Sequence, residues 1–395
     1  MSKKAIAVVL TMLMILLVVA CESKTEPPRS SPGVEISPAP ASEPKEVKAE
    51  PETSPTSPPR VEILSTSVYT CRENLQRGGR TYEGDFVHIV GEVENVGEVN
   101  VKIKSITPEF YDGSGSAIDA PWHRLGVISV LAPDQKAPFF AILLDEDASG
   151  RMVDYEFTFD CEVTDEEPLL ELELLNSASY MESMTEYDLY WIVGEYENTG
   201  VKNIEDVWAF ATYYDAEGTV IGYNYAHTPM LTVLPGQKVP FAVSSQEYNI
   251  VLELPGDLIH RIASYELGFS YKIAGEAPYR EFEILSHRSG LSQEKYLLLD
   301  EMRPVFEVQG ELKNVGNSQA EIVAVIATFY DADGVVVDAC WGHGSGYAGN
   351  RISGSLKIDN LSPGETAPFG VRVKGDRALD IADYSLQVAC HKISD

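Results

Sequence analysis

The same order of landmark residues occurs three times along the chain, and this repetition limits the fold more than any other feature. The three sets are Gly91-Glu92, Asn95, Tyr111-Asp112 and Pro138-Phe139; Gly194-Glu195, Asn198, Tyr214-Asp215 and Pro240-Phe241; and Gly310-Glu311, Asn314, Tyr330-Asp331 and Pro368-Phe369. The Gly-Glu and Tyr-Asp landmarks recur after 103 and then 116 residues, which suits a complete small domain rather than one unit of a solenoid. We therefore predict three like domains: repeat 1 (residues 61–165), repeat 2 (residues 169–276) and repeat 3 (residues 279–395).

The sequence inside each repeat has the pattern of β-strands. Segments such as residues 86–90, 139–144 and 155–159 are rich in β-branched and aromatic residues, and no stretch shows a helical period. Several short strands in a segment of this length are typical of an antiparallel sandwich. The predicted fold class is all-β, with three tandem immunoglobulin-like antiparallel β-sandwich domains.

Turn chemistry accounts for most of the landmarks. Glycine follows each landmark Asn by two residues and each landmark Asp by three, where a positive φ is easily adopted. The string Asp331-x-Asp333-Gly334 resembles the start of a calcium loop, but the remaining ligands of an EF-hand are missing. We interpret these aspartates as turn residues and predict no metal site.

This order of Gly, Asn, Tyr-Asp and Pro-Phe residues resembles the FxLYD family of domains, which occur in exported bacterial and archaeal proteins and often follow a lipobox. The resemblance covers residues 61–395. The family's first Phe is replaced by Pro108, Ala211 and Ala327, and its Leu by Phe110, Tyr213 and Phe329. The resemblance implies no catalytic residues.

The N-terminal segment predicts export and a lipid anchor. Lys3 and Lys4 precede an apolar run over residues 5–20, which is short for a membrane span and fits a signal peptide. The run closes on Ala20-Cys21 and resembles the lipobox of prokaryotic lipoproteins; an uncleaved anchor is the alternative. We predict a signal peptide over residues 1–20, lipidation of Cys21, and a disordered Pro/Ser/Glu-rich stalk over residues 21–60. The expected location is extracytoplasmic, lipid-anchored to the cell membrane or envelope.

Charge and cysteine content add two further expectations. The net charge of −31 argues against nucleic acid as a partner and favours a solubilising surface over a dedicated cation-binding one. Beyond Cys21, two cysteines lie in repeat 1, two in repeat 3 and none in repeat 2. In an exported protein this distribution predicts the disulfides Cys71–Cys161 and Cys340–Cys390.

An aromatic residue beside a histidine recurs shortly after each Tyr-Asp pair. The candidate binding surface consists of Trp122 and His123, Tyr225 and His227, and Trp341 and His343, with Tyr347 and Arg351 in the lengthened loop of repeat 3. Loops at one end of a sandwich commonly carry binding sites. The alternative is a packing position at a strand end, where the aromatic ring covers the edge of the core.

No motif in the chain indicates an enzyme or a cofactor. Residues 344–349 match the dinucleotide fingerprint by letter, but the helix that this motif needs does not follow. We therefore predict a non-enzymatic envelope protein that presents a rod of sandwiches for extracellular binding or adhesion, anchored in the membrane through Cys21. Its partner would be an extracellular protein or an envelope polymer. The alternative is a structural spacer without a ligand site, and a solute-binding or enzymatic accessory protein is the remote one.

Overall fold

The fold is described from a computed structural model. It describes residues 58–77, 80–120, 122–125, 130–169, 171–183, 188–245, 255–296, 301–341 and 358–394. All of these belong to one compact unit, Ser54–Asp395, so the division into three domains stays a prediction. The predicted signal peptide, Cys21 and nearly all of the stalk lie outside the described residues.

Strands make up 68% of the structure and helices 5%, which confirms the predicted all-β fold. Repeat 1 contains β1 (Val61–Arg77), β2 (Arg80–Asn95), β3 (Val101–Asp112), β4 (Trp122–Leu125), β5 (Val130–Leu131), β6 (Lys136–Leu143), α1 (Glu146–Arg151) and β7 (Met152–Val163). Repeat 2 contains β8 (Leu172–Ser183), β9 (Asp188–Asn198), β10 (Ile204–Tyr214), β11 (Val220–His227), β12 (Thr232–Val233), β13 (Lys238–Ser244), α2 (Gly256–Ile259) and β14 (Ser264–Ile273). Repeat 3 contains β15 (Phe282–Tyr296), β16 (Glu301–Asn314), β17 (Gln319–Tyr330), β18 (Val336–Trp341), β19 (Ile358–Leu361), β20 (Thr366–Lys374), a 3-10 helix (Asp376–Leu379) and β21 (Asp383–Ser394). No helix of the described segments is long and apolar enough to cross a membrane.

Each repeat forms two antiparallel sheets from its own strands. The sheets of repeat 1 have the orders β1-β2-β6-β4 and β5-β3-β7. In repeat 2, β13-β9-β8 faces a sheet in which β10 pairs with β11, β12 and β14, and repeat 3 repeats this plan with β15-β16-β20 and the neighbours of β17. Buried side chains from both sheets of a repeat share one cluster, for example Val93 and Phe139 with Ile103 and Ile106. The apolar core of each repeat therefore lies between its two sheets.

The landmark glycine and the landmark Phe of each repeat are direct neighbours. Gly194 on β9 lies opposite Phe241 on β13, and Gly310 lies opposite Phe369 in the same way. A Cβ atom on either glycine would lie 2.6 Å from the Phe ring, and the ring is closer still at Gly91. Only glycine leaves room for an aromatic ring packed this close to the strand, so the landmark Gly and the landmark Phe recur together.

The landmark Asn and Asp residues hold turns. Asn314 is fully buried, and its side-chain amide donates to the carbonyls of Ser318 (2.9 Å) and Leu361 (2.8 Å). The Oδ1 atom of Asp331 accepts from the backbone N–H groups of residues 333 and 335, both at 2.9 Å, and Gly334 has a φ of 80°. These contacts confirm that the aspartate is a turn residue, because its oxygen is directed at backbone donors.

The two predicted disulfides are not formed in the structure. Val61, at the start of β1, packs in one cluster with Ile103, the partner of Cys161 across the ladder. Cys71 lies ten residues farther along β1 than Val61, which at the rise of a strand places it roughly 30 Å from the end of the repeat that holds Cys161. A disulfide requires Cα atoms within about 7 Å. The pairing Cys71–Cys161 predicted from the sequence was wrong.

The second pairing fails for a similar reason. Cys340 on β18 lies opposite Ala327, and Cys390 on β21 lies opposite Val323, so β17 runs between the two cysteines. Two strand spacings alone separate them by about 10 Å, and the offset between Ala327 and Val323 along β17 adds to this distance, so they are again beyond the reach of a disulfide. Burial raises the pKa of the Cys340 thiol to about 12, which keeps it protonated.

Candidate functional site

Part of the predicted binding surface falls outside the described residues. His343, Tyr347 and Arg351 belong to the undescribed loop of repeat 3, and only the backbone is described for Trp341 and His123. The remaining members are Trp122 in repeat 1 and Tyr225 and His227 in repeat 2.

The recurrent aromatic and histidine lie on different sheets in repeats 1 and 2. Trp122 and His123 are on β4, which pairs with β6, whereas Tyr225 and His227 are on β11, which pairs with β10. Trp341 ends β18, which pairs with β17 as β11 pairs with β10. The placement is therefore shared by repeats 2 and 3 but not by repeat 1, where Trp122 is 36% exposed. Among the described members, the structure does not bring the pairs of repeats 1 and 2 onto equivalent sheets.

In repeat 2 the predicted pair belongs to a larger group, which we call the aromatic–histidine cluster: Asp206, Trp208, Tyr225, His227 and Lys272. The ring of Trp208 lies 5.0 Å from that of His227 and 5.3 Å from that of Tyr225. Asp206 accepts from Trp208 Nε1 at 3.1 Å, lies 3.3 Å from His227 Nε2, and pairs with Lys272 at 2.6 Å. The Lys272 hydrogen bond is the main reason why the pKa of Asp206 is lowered. All three rings are half-buried, so each keeps part of its surface open.

Three members of the cluster, Asp206, Trp208 and Lys272, could not be identified from the sequence. The register of β10 against β14 shifts between Glu205 and Trp208, and the side chains of Asp206 and Trp208 both lie beside His227 of β11. Asp206 has a φ of 54° and Ile322, at the same distance before its landmark Tyr, has a φ of 55°. Because a β-branched residue adopts the same conformation in repeat 3, we attribute it to the fold rather than to a site.

A cleft between repeats 2 and 3 adjoins the cluster. Asp206 and His227 line it, together with Glu276 and Arg280. The guanidinium of Arg280 donates to the carbonyl oxygens of Thr232 (2.6 Å) and Val388 (3.0 Å), one in each repeat. Arg280 therefore connects the two repeats.

The landmark Glu of one repeat binds the landmark Tyr of the next. The hydroxyl of Tyr214 donates to Glu92 at 2.5 Å, and the hydroxyl of Tyr330 donates to Glu195 at 2.8 Å. Glu92 and Glu195 are only 3% and 4% exposed. We call this contact, with the surfaces around it, the Tyr–Glu joint. Sequence reasoning found all four residues as landmarks but did not assign them this role.

A second hydrogen bond recurs at each joint. The backbone N–H of Val220 donates to Ser65 Oγ at 3.1 Å, and that of Val336 donates to Asn176 Oδ1 at 3.0 Å. Both acceptors follow the bulge in the first strand of their repeat. The two joints therefore have the same construction.

Apolar side chains surround both joints. Phe86, Val90, Phe140 and Ile142 of repeat 1 share a cluster with Tyr214, Val220 and Tyr223 of repeat 2. Leu189, Trp191, Val193 and Ala242 of repeat 2 share another with Val336 of repeat 3. In the second joint the guanidinium of Arg377 also lies 3.4 Å from the ring centre of Tyr180. Burial of this kind is the main attractive contribution to association between surfaces.

Burial sets the electrostatics of the joint. Loss of solvent raises the pKa of the Glu92 and Glu195 carboxyl groups, and the hydrogen bond from tyrosine lowers it by less. Burial likewise raises the pKa of the Tyr330 hydroxyl, so it remains a donor at neutral pH. The hydrogen bond from tyrosine therefore offsets only part of the cost of removing the glutamate carboxylate from water.

Comparisons with known proteins give no identity. No family model matches the chain, and no curated protein matches it. Five chains of solved structures match. One is a β-glucuronidase from glycoside hydrolase family 2, with 9% identity over 67% of this chain and 30% of that one, and a TM-score of 0.16. The chain spans less than a third of that enzyme, and a likeness at this score carries no argument about fold or function.

Proposed function

We propose that this chain is a non-enzymatic envelope protein, anchored through a lipid on Cys21, which holds a surface for extracellular binding or adhesion at a fixed orientation. The observation that carries the proposal is the Tyr–Glu joint, built twice from equivalent residues. Domains joined by linkers reorient freely unless their interface is large and apolar. Two joints of one construction support a chain in which orientation matters.

The strength of the joint fits this role. A hydrogen bond to a charged group contributes about 1.5–3 kcal/mol, and each joint adds a second hydrogen bond and an apolar cluster. Interfaces with a buried apolar centre and satisfied polar groups are stable. We infer that the repeats move as one body on the timescale of a binding event.

The aromatic–histidine cluster is the surface that we propose for binding. Trp and Tyr dominate the binding energy of many interfaces because they bury large areas at a small entropic cost. Trp208 and Tyr225 have partly open rings, and Asp206, His227 and Lys272 supply polar groups at their edge. This combination suits an extracellular protein or an envelope polymer with alternating apolar and hydroxyl-bearing faces.

Binding to immobilised surface proteins and envelope polymers of the source organism tests the proposal. The full chain would be compared with a variant carrying Trp208→Ala and His227→Ala, and with Trp122→Ala as the matched control on an exposed aromatic of repeat 1. We expect the double variant to bind at least about 10-fold more weakly, as for a central aromatic anchor, and the control to bind like the parent. Equal loss in both variants would refute this surface.

The second candidate function is a structural spacer without a ligand site. The same joints favour it, because a spacer also needs a fixed span. The two functions differ in one observable: a spacer binds none of the surface proteins or polymers at any concentration tested, while its joints remain intact.

A further inference from the structure

We propose that the outer faces of repeats 1 and 3 are caps that confine the Tyr–Glu joint to the inside of the chain and prevent one copy from docking end to end on another. This inference concerns the joint alone and does not depend on the proposed function.

Without such caps, the same contact could link one copy of the chain to the next. It is a heterologous contact, in which one face of a repeat accepts through Glu and a different face donates through Tyr. Heterologous contacts that do not close produce open chains of subunits. Repeat 3 has its own acceptor, Glu311, and repeat 1 has its own donor, Tyr111, so the landmarks alone would allow a third joint between two copies.

The acceptor face of repeat 3 keeps the framework of a joint but not its apolar surface. An open groove is lined by Ser286 and Glu311, the counterparts of joint residues in repeats 1 and 2, and by the landmark residues Gly310 and Pro368. Glu311 is exposed, whereas Glu92 and Glu195 are buried. The polar residues of a joint are therefore present on repeat 3, and no other part of the described structure covers Glu311.

The positions around Glu311 have changed from apolar to polar. One residue before the landmark Gly, Val90 and Val193 are fully buried in the first two repeats, and Gln309 takes this place in repeat 3. Two positions earlier, His88 and Trp191 correspond to Glu307. Burial holds the pKa of His88 at about 3, so that residue is a neutral ring in the first joint, whereas Glu307 carries a charge that docking would strip of water.

Ion pairs reinforce the change. Arg372, in the place of Ile142 in repeat 1, lies 3.2 Å from Glu294, and Lys374 lies 3.1 Å from the same carboxylate. Arg288 donates to Gln309 at 3.2 Å. An apolar hairpin laid on this face would remove water from these ion pairs without offering them a new polar partner, which disfavours docking.

The donor face of repeat 1 has changed as well. Tyr111 donates to Glu109 of its own strand at 2.8 Å. Among the described residues of repeat 1, no strand pairs with β3 as β11, which carries Tyr223 and Tyr225, pairs with β10, and β4 joins β6 on the opposite sheet. On β7, the exposed side chains include Asp154, Glu156, Asp160 and Glu162. A face that is acidic and lacks this aromatic strand offers less apolar surface to a joint, so each of the two outer faces opposes docking.

What remains for a joint between copies is the hydrogen bond from Tyr111 to Glu311. A single hydrogen bond between solvated groups does not offset the translational and rotational freedom lost on association. Polar outer faces on the terminal repeats of an array serve solubility in the same way. We infer that two copies of the chain do not associate through the outer faces of repeats 1 and 3.

Sedimentation velocity of the full chain in detergent tests the caps. The parent should sediment as one copy, and Glu311→Gln should not change this. A variant with Glu307→Trp and Gln309→Val restores the residues of repeat 2 and should self-associate at least 10-fold more tightly than the parent. The matched control carries Glu283→Trp and Lys313→Val, a cross-strand pair on the same sheet but outside the joint positions.

Two outcomes would overturn the proposal. The first is self-association of the parent that Glu311→Gln or Tyr111→Phe abolishes, since a working joint between copies would then exist. The second is equal behaviour of the restored variant and the control, since the polar residues would then not be what prevents docking. Thermal unfolding of each variant establishes that it is folded.

Discussion

The hydroxyl of Tyr330 donates a 2.8 Å hydrogen bond to the buried carboxylate of Glu195, and the two residues belong to successive repeats. The pair Tyr214 and Glu92 makes the same contact one repeat earlier. Two of the landmarks that define the repeat in sequence are thus the two halves of the contact that joins one repeat to the next. A residue type that recurs in every repeat can serve packing between repeats as well as folding within them.

Removal of the tyrosine hydroxyl should weaken the joint. Tyr330→Phe leaves the buried Glu195 without this donor, and we expect a loss of about 1–3 kcal/mol in the free energy of unfolding. Tyr111→Phe is the control, because its hydroxyl bonds an exposed Glu109, and its effect should stay within about 0.5 kcal/mol. Urea denaturation measures both, and similar losses would contradict the role of the joint.

The joint should respond to pH in a defined direction. Burial raises the pKa of Glu92 and Glu195 in the folded chain, so the folded state binds a proton more readily than the unfolded state. The stability from these groups is therefore greatest below their unfolded pKa and is lost as pH rises through the folded pKa. Urea midpoints between pH 4 and 8 should show this loss in the parent relative to a Glu92→Gln, Glu195→Gln variant. A parallel pH dependence in both would exclude the carboxylates as the cause.

The glycine beneath the landmark Phe should not tolerate a side chain. In Gly194→Ala the new Cβ would lie 2.6 Å from the Phe241 ring and 2.5 Å from the Asn176 carbonyl oxygen. Overpacking of this kind costs about 1–3 kcal/mol. Gly275→Ala is the control, because no atom lies within 4 Å of its Cβ position. The unfolding midpoint should fall only for the first variant, and a fall in both would point to backbone flexibility instead.

Reduction should leave the stability of the chain unchanged. The cysteines of each expected pair are held too far apart for a bridge. Non-reducing peptide mapping should find neither Cys71–Cys161 nor Cys340–Cys390, and the unfolding temperature should be the same with and without a reductant. Detection of either bridge would mean that strands β1 or β18 pair differently from the register described above.

Membrane attachment should depend on Cys21. If this residue carries the lipid, Cys21→Ala should yield an unlipidated chain that is retained as precursor or released. Detergent partitioning and intact-mass measurement distinguish these outcomes, with Cys71→Ala as the control that keeps the anchor. Membrane-bound mature protein without acyl chains would rule out the lipidation that we propose.

Most of the fold could be predicted from short stretches of sequence. The strand content of each repeat, the turns after Asn314 and Asp331, and the positive φ of Gly115, Gly218 and Gly334 were predicted from short stretches of sequence, because strand propensity and turn geometry depend on neighbouring residues. The glycines two residues after the landmark Asn, Gly97, Gly200 and Gly316, do not have the positive φ expected of them. The recurrence of Gly with Phe was also visible in the sequence. Its reason, a ring packed on a bare strand, became clear only when the two strands were paired.

Contacts between distant segments decided the rest. The pairing of Glu195 with Tyr330, the separation of Cys340 from Cys390, the move of β4 to the opposite sheet and the gathering of Asp206 and Trp208 beside His227 all join residues far apart in the chain. One sequence pattern is compatible with many arrangements of such segments. Which arrangement forms depends on how whole faces bury apolar area and satisfy their polar groups together, and a single strand does not contain that information.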